Sequence, residues 1–162
     1  EDQGKFAQIP SGSFIKNKKP MYPEEGEPTP TSVDAFEIQI HEVTNKQFQR
    51  FVTETGYITD AEKSEKLNKI DSGSAVFSSK EKKESWSRIV LDNIPSWELI
   101  SGATWRSPLG PGSDIEGKDH YPVVHVSLKD AKAYAFWSKT RIPTETEWEY
   151  AASLGLIDIR DK

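Results

Sequence analysis

Residues 121–156 read YPVVHVSLKDAKAYAFWSKTRIPTETEWEYAASLGL, and two helix starts are written into them. Ser127 is followed three residues later by Asp130, and Thr144 by Glu147. In each pair the hydroxyl accepts from the backbone N–H three residues on, while the acid reaches back to the first residue's own N–H. Ala131, Tyr134, Ala135 and Trp137 then fall on or near one helical face. Trp148, Ala151 and Ala152 form the apolar face of the second helix, with Gly155 placed to end it. The apolar run at 123–126 predicts a short buried strand just ahead.

A third such pair, Thr44 with Gln47, opens a helix that carries Phe48, Phe51 and Val52 and stops at Gly56. Before it, residues 6–9 and 13–15 read as strands, with Pro10, Ser11 and Gly12 turning between them. Residues 16–30 hold four of the ten prolines (Pro20, Pro23, Pro28, Pro30) and read as a surface loop. Phe36, Ile38 and Ile40 alternate within 33–40, as in a half-buried strand.

Residues 59–83 are lysine- and serine-rich, with Lys63, Lys66, Lys69, Lys80, Lys82 and Lys83 interleaved by acids. A solvated loop with some helix is expected there, anchored by Ala75 to Phe77. Residues 94–119 predict a long irregular segment that Trp97 and Trp105 keep ordered. Short strands mixed with three capped helices make this an α+β chain rich in loops.

Bulk properties exclude several functions. At 162 residues the chain suits one domain. A net charge of −5 disfavours a nucleic-acid binder, which needs a basic face for phosphates. No apolar run is long enough for a transmembrane segment. The chain has no cysteine, which removes disulfides, thiolate metal sites and cysteine nucleophiles from these residues. It begins with Glu1 and not Met, so something removed ahead of it, by processing or by design, is expected. The compartment stays open, with an exported or periplasmic setting favoured.

The chemistry-bearing clusters read as structural. His41, His120 and His125 are the only histidines, and their spacing does not make a zinc set. His125 is expected to hydrogen-bond a loop carbonyl. Asp114, Glu116, Asp119 and His120 lack the regular ligand series of a calcium loop, so a hydrogen-bonded turn network is expected instead. Glu145, Glu147 and Glu149 sit in a first helical turn, where acids offset the helix dipole. No nucleophile elbow, phosphate loop or dinucleotide fingerprint is present.

Short blocks in order along the chain resemble the formylglycine-generating enzyme, or sulfatase-modifying factor, family. They are Ile9-Pro10-Ser11-Gly12-Ser13-Phe14, then Val33-Asp34-Ala35-Phe36-Glu37-Ile38, then Glu42-Val43-Thr44-Asn45 with Phe48. Thr55-Gly56-Tyr57-Ile58-Thr59-Asp60-Ala61-Glu62-Lys63 follows, then Gly102-Ala103-Thr104-Trp105-Arg106 and Gly110-Pro111-Gly112-Ser113. His125-Val126-Ser127, Arg141-Ile142-Pro143-Thr144-Glu145 and Glu147-Trp148-Glu149-Tyr150-Ala151 complete the series. The chain departs from the pattern at Ser64-Glu65-Lys66-Leu67 and at Phe14-Ile15-Lys16-Asn17.

The resemblance implies a loop-rich α+β fold distantly like C-type lectins, one domain over residues 1–162 with the C-terminal half of the family's domain absent. It implies an activity that oxidises a sulfatase cysteine to formylglycine with O₂. Catalytic copper, held by two cysteines, and structural calcium are implied for the missing half, so no catalytic or metal-binding residue is carried onto this chain. Ala61 and Trp97 are carried over as substrate-binding residues. The implied partners are a sulfatase polypeptide or another peptide or glycan ligand, and a complementary C-terminal chain. Two alternatives stay open: a non-catalytic, lectin-like binding or structural module, and a related iron- or copper-dependent oxidase of a small molecule.

Overall fold

The computed structural model describes residues 4–18, 20, 22–66, 73–77, 89–90 and 97–155. In chain order the elements are β1 (Phe6–Ile9), β2 (Gly12–Lys16), β3 (Thr29–Val33), β4 (Phe36–Gln39), α1 (Asn45–Thr55), α2 (Asp60–Lys66), β5 (Gly73–Phe77), β6 (Ile89–Val90), β7 (Trp97–Ser101), α3 (Leu128–Trp137) and α4 (Glu145–Gly155). The chain is α+β. It divides into two compact units, one formed by residues 42–141 and the other by the residues up to 41 together with those from 142 on.

The 42–141 unit is built around rings. The capping box at Thr44 is complete: Gln47 N donates to Thr44 Oγ1 at 3.3 Å, and Thr44 N donates to Gln47 Oε1 at 2.9 Å. Gly56 ends α1 in the left-handed region, at φ 66°, where a Cβ is disfavoured. Helical spacing then brings Phe48, Phe51 and Val52 together with Trp105 and Tyr134 in one buried cluster. Phe48 stacks on Tyr134 at 5.9 Å and meets Trp105 edge-on at 5.3 Å. Such pairs add about 0.5–1.5 kcal/mol each beyond the area they bury.

Three expectations for this unit are corrected. Residues 123–126 are not a strand. Thr44 and Pro122 form a single bridge, and Val123 N donates to Val43 O at 2.8 Å. His125 then turns left-handed, at φ 57°, which stops any ladder. Inside the segment expected to be irregular, residues 97–101 form β7, the centre of an antiparallel sheet ordered β5-β7-β6. Its partners are β6, at residues 89–90, and β5, at residues 73–77, and its own composition announces neither. The anchor at 75–77 is narrower than expected: Val76 is buried but Phe77 is exposed. Lys69, Lys80, Lys82 and Lys83 lie outside the described residues.

In the second unit, the turn at Pro10 and Ser11 joins strands that do not pair with each other. β1 pairs antiparallel with β4, and β2 with β3. The proline-rich loop ends earlier than expected, because Thr29 and Pro30 already belong to β3, with Pro30 opposite Ile15. Both strands of a two-stranded ladder are edges, where a missing N–H is tolerated. The strand expected over 33–40 is broken at Asp34 and Ala35, and Ile40 falls past the end of β4 and is exposed.

α4 begins at a third complete box, with Thr144 N donating to Glu147 Oε2 at 2.8 Å and Glu147 N to Thr144 Oγ1 at 3.2 Å. Its buried ring is Tyr150, 5.4 Å from Phe14, while Trp148 is 62% exposed. The expected apolar face is therefore rotated. Lys16 Nζ pairs with Glu145 at 2.9 Å, and Asn17 N donates to Glu149 at 2.8 Å. Glu145 and Glu149, one turn apart, both reach residues at the end of β2. These acids do more than offset a dipole: they tie the first turns of the helix to residues 16 and 17.

Candidate functional site

The segment 57–63 is held by two carboxylates. Asp130, fully buried at the third position of α3, completes the box with Ser127: Ser127 N donates to its Oδ2 at 2.8 Å. The same carboxylate accepts the Tyr57 hydroxyl at 3.0 Å and the Asp60 N–H at 3.1 Å. Ser127 Oγ in turn donates to Asp60 Oδ2 at 2.8 Å. One buried side chain thus fixes the start of α3, the start of α2 and the ring before it. A carboxylate in low dielectric, fully supplied with donors, is a rigid joint.

The second carboxylate is Glu62. It accepts from the N–H and the hydroxyl of buried Thr59, both at 2.9 Å, and Glu62 N donates back to Thr59 Oγ1 at 3.3 Å. This is a fourth capping box, opening α2. Arg106 Nε donates to Glu62 Oε1 at 3.2 Å, and its guanidinium carbon lies 4.2 Å from the centre of the Trp105 ring. Arg106 also donates to Gln49 Oε1 at 3.2 Å, so it bridges α1 and α2 over the core tryptophan.

The protonation states are settled around neutral pH. Burial, and then the hydrogen bond to Asp130, push the Tyr57 hydroxyl up to about 12. The Ser127 hydrogen bond, opposed by burial and helped by Lys129 and Lys63, holds Asp60 below its ordinary value. Burial pushes Glu62 up, but the Thr59 donors and Arg106 together outweigh it and hold the carboxyl low. The two acids stay ionised and the phenol stays protonated, so this network positions backbone rather than moving protons.

Ala61 sits on α2, one residue after Asp60, and is partly buried. Trp97 opens β7 and is 42% exposed, not a core side chain. Its cross-strand partner is Phe77, with ring centres 5.5 Å apart in an edge contact. α2 packs against β5, and β5 pairs with β7, so the two residues stand on neighbouring layers of one unit. The Trp97–Phe77 contact depends on cross-strand register, which is invisible in sequence. The Thr59–Glu62 box could have been found, since it has the same spacing as the other three.

The remaining clusters make hydrogen bonds within loops and turns. His125 Nε2 lies 2.8 Å from the carbonyl oxygen of Pro108, the loop contact expected of it. Asp114 Oδ1 accepts the Glu116 N–H at 2.9 Å and Asp119 O accepts the Lys46 N–H at 3.0 Å, within a run of turns. Among the described residues no three His, Cys, Asp or Glu side chains gather where they could hold a metal ion. Among them, too, no helix is long and apolar enough to cross a membrane.

Comparison with known proteins agrees with the blocks quoted above. A family model described as the sulfatase-modifying factor enzyme 1-like domain matches residues 2–160. The chain is 41% identical over 160 residues to the formylglycine-generating enzyme of Thermomonospora curvata, an alignment covering 94% of this chain and 50% of that protein. It is 38% identical over 157 residues to the formylglycine-generating enzyme of Bos taurus, covering 94% and 40%. A third relative, 39% identical over 155 residues and covering 93% and 49%, is the inactive C-alpha-formylglycine-generating enzyme 2 of Bos taurus. The chain spans about half the length, or less, of these curated relatives. On the match of its whole described length, the chain belongs to the sulfatase-modifying factor enzyme 1-like domain family.

Proposed function

We propose that this chain supplies the scaffold and one wall of the peptide groove of a formylglycine-generating-enzyme-like protein, within a distantly C-type-lectin-like domain. The groove receives a cysteine-containing segment of a sulfatase polypeptide, and Ala61 and Trp97 line it. The observation that carries this reading is the pinning of Ala61. The residue before it is tied to Asp130 and the residue after it to Thr59 and Arg106. A small side chain on an over-determined backbone suits close approach of an extended peptide, and the exposed Trp97 ring offers an apolar platform for it.

The residues present do not fit copper. Soft thiolates select Cu(I), and the chain contains none. The donor sets for copper and calcium are assigned to the part of the family's domain that this chain does not span. What these residues contribute is binding and orientation of the peptide.

The test uses the natural protein, a sulfatase-motif peptide containing cysteine, and capture of the aldehyde product by an aminooxy probe. Trp97→Ala and Ala61→Lys are expected to lower kcat/KM at least about tenfold while the melting temperature stays within about 2 °C. Unchanged kinetics in both variants would remove them from the groove. A second reading, a non-catalytic binding module, is favoured by the inactive relative at 39% identity. It predicts peptide binding that Trp97→Ala weakens, with no aldehyde formed.

A further inference from the structure

The outward face of α3 is built unlike a solvent-facing helix surface. Asp130, Tyr134 and Ala135 are buried and Ala131 is partly so. The opposite arc carries Leu128, Lys132 and Phe136, spaced at i, i+4 and i+8 and therefore in one stripe. Phe136 is 88% exposed and Leu128 65%. Next to the start of α3, the His125 bond to Pro108 joins the segment holding exposed Val124 to the turn holding exposed Leu109. Single exposed apolar residues are ordinary, but two large ones in a helical stripe, with more on adjoining turns, mark a contact surface.

We propose that this face docks the polypeptide equivalent to the part of the relatives that the chain does not span. The inference rests on the scaffold reading above and names the place where the scaffold is completed. Two observations select that occupant. The relatives match 93–94% of this chain, yet about half or more of their own length lies beyond the match. A second copy of this chain is disfavoured by charge, because a two-fold contact centred on the stripe would set Lys132 against its counterpart on the axis. The occupant is therefore an apolar segment with an acidic residue opposite Lys132, not another α3.

Side-chain footprinting tests the assignment, comparing residues 1–162 alone with the protein purified from its natural source, both at low micromolar concentration. Leu128 and Phe136 are expected to label at least about tenfold more slowly in the natural protein, and a carbodiimide, which couples an amine to a carboxylate, is expected to join Lys132 to a segment aligning with the unspanned part of the relatives. Phe77, comparably exposed but on β5, should label equally in both. Equal labelling of Phe136, or protection that appears only as residues 1–162 self-associate, overturns the proposal. Phe136→Ser gives a second readout. It is expected to leave the melting temperature of residues 1–162 unchanged and to lower that of the natural protein by roughly 3 °C or more; no difference between the two counts against docking. Aldehyde formation in the same natural sample separates the readings. Activity without protection sinks only the docking face, and protection without activity sinks only the catalytic reading.

Discussion

The two units reach stability by different routes. The 42–141 unit encloses five large side chains in one cluster and crosses its joints with a fully buried carboxylate. In the other unit the buried apolar side chains among the described residues are Val33 and Tyr150, and the polar ties to α4 run through Lys16, Glu145, Asn17 and Glu149. Glu145 is 80% exposed on its side chain, so that pair contributes little. Dense packing punishes any lost volume, whereas paired ladders punish a clash at the few points where a helix rests on them. The segment proposed to hold a peptide lies in the denser unit, where small displacements are resisted.

Truncation of the core is the hardest test of this contrast. Trp105→Ala is expected to cost about 3–5 kcal/mol in chemical denaturation, more than Tyr150→Ala. The reverse order would show that the second unit carries the greater share of the packing. Asp130→Ala should cost roughly 3 kcal/mol, because it strands the Tyr57 hydroxyl and the N–H groups of Asp60 and Ser127. Tyr57→Phe should cost less, since it removes one donor and leaves the carboxylate its others.

The same joint predicts how pH acts on this unit. Tyr57 has a folded value raised to about 12 from 10.0, so its contribution is whole below about pH 10 and is lost as pH rises from there toward 12. Asp60 and Glu62 have lowered folded values. Their contribution is whole above the ordinary carboxylate range and is lost as pH falls through the lowered values. Melting curves of Tyr57→Phe against the parent should therefore converge at high pH; curves that stay parallel through pH 12 would remove Tyr57 from the joint.

In the second unit the sharpest probe is Gly12, where an added Cβ would run into the Tyr150 hydroxyl. Gly12→Ala is expected to cost about 1–3 kcal/mol, and Tyr150→Phe in the same chain should recover much of it. Absence of recovery in the double variant would place the strain elsewhere. The smallest effect belongs to Trp148→Ala, expected within about 0.5 kcal/mol because the ring is largely in water. A loss above 2 kcal/mol would show that Trp148 has a covering partner in solution.

Sequence reading succeeded where one element explains itself. The boxes at Thr44, Ser127 and Thr144 depend on side chains three residues apart, and each formed as expected. It failed where distant segments decide. No spacing announces that β1 skips β2 and β3 to pair with β4, or that residues 97–101 become the middle of a sheet. Composition puts Trp148 on the inward side of α4, but the ring that packs is Tyr150, against Phe14 and beside Gly12. The joint at Asp130 was half visible: its bond to Ser127 is local, while those to Tyr57 and Asp60 span 73 and 70 residues. Ala61 and Trp97 came from resemblance, since an alanine carries no chemical signature and an exposed tryptophan reads like a buried one.

The Asp130 joint also has a kinetic consequence. The amide hydrogens of Asp60 and Ser127 lie 67 positions apart, yet both terminate on one carboxylate. Neither is released to solvent deuterium until that carboxylate withdraws, so the two should exchange on a common clock, and any ligand that settles on the Ala61 helix should slow both together.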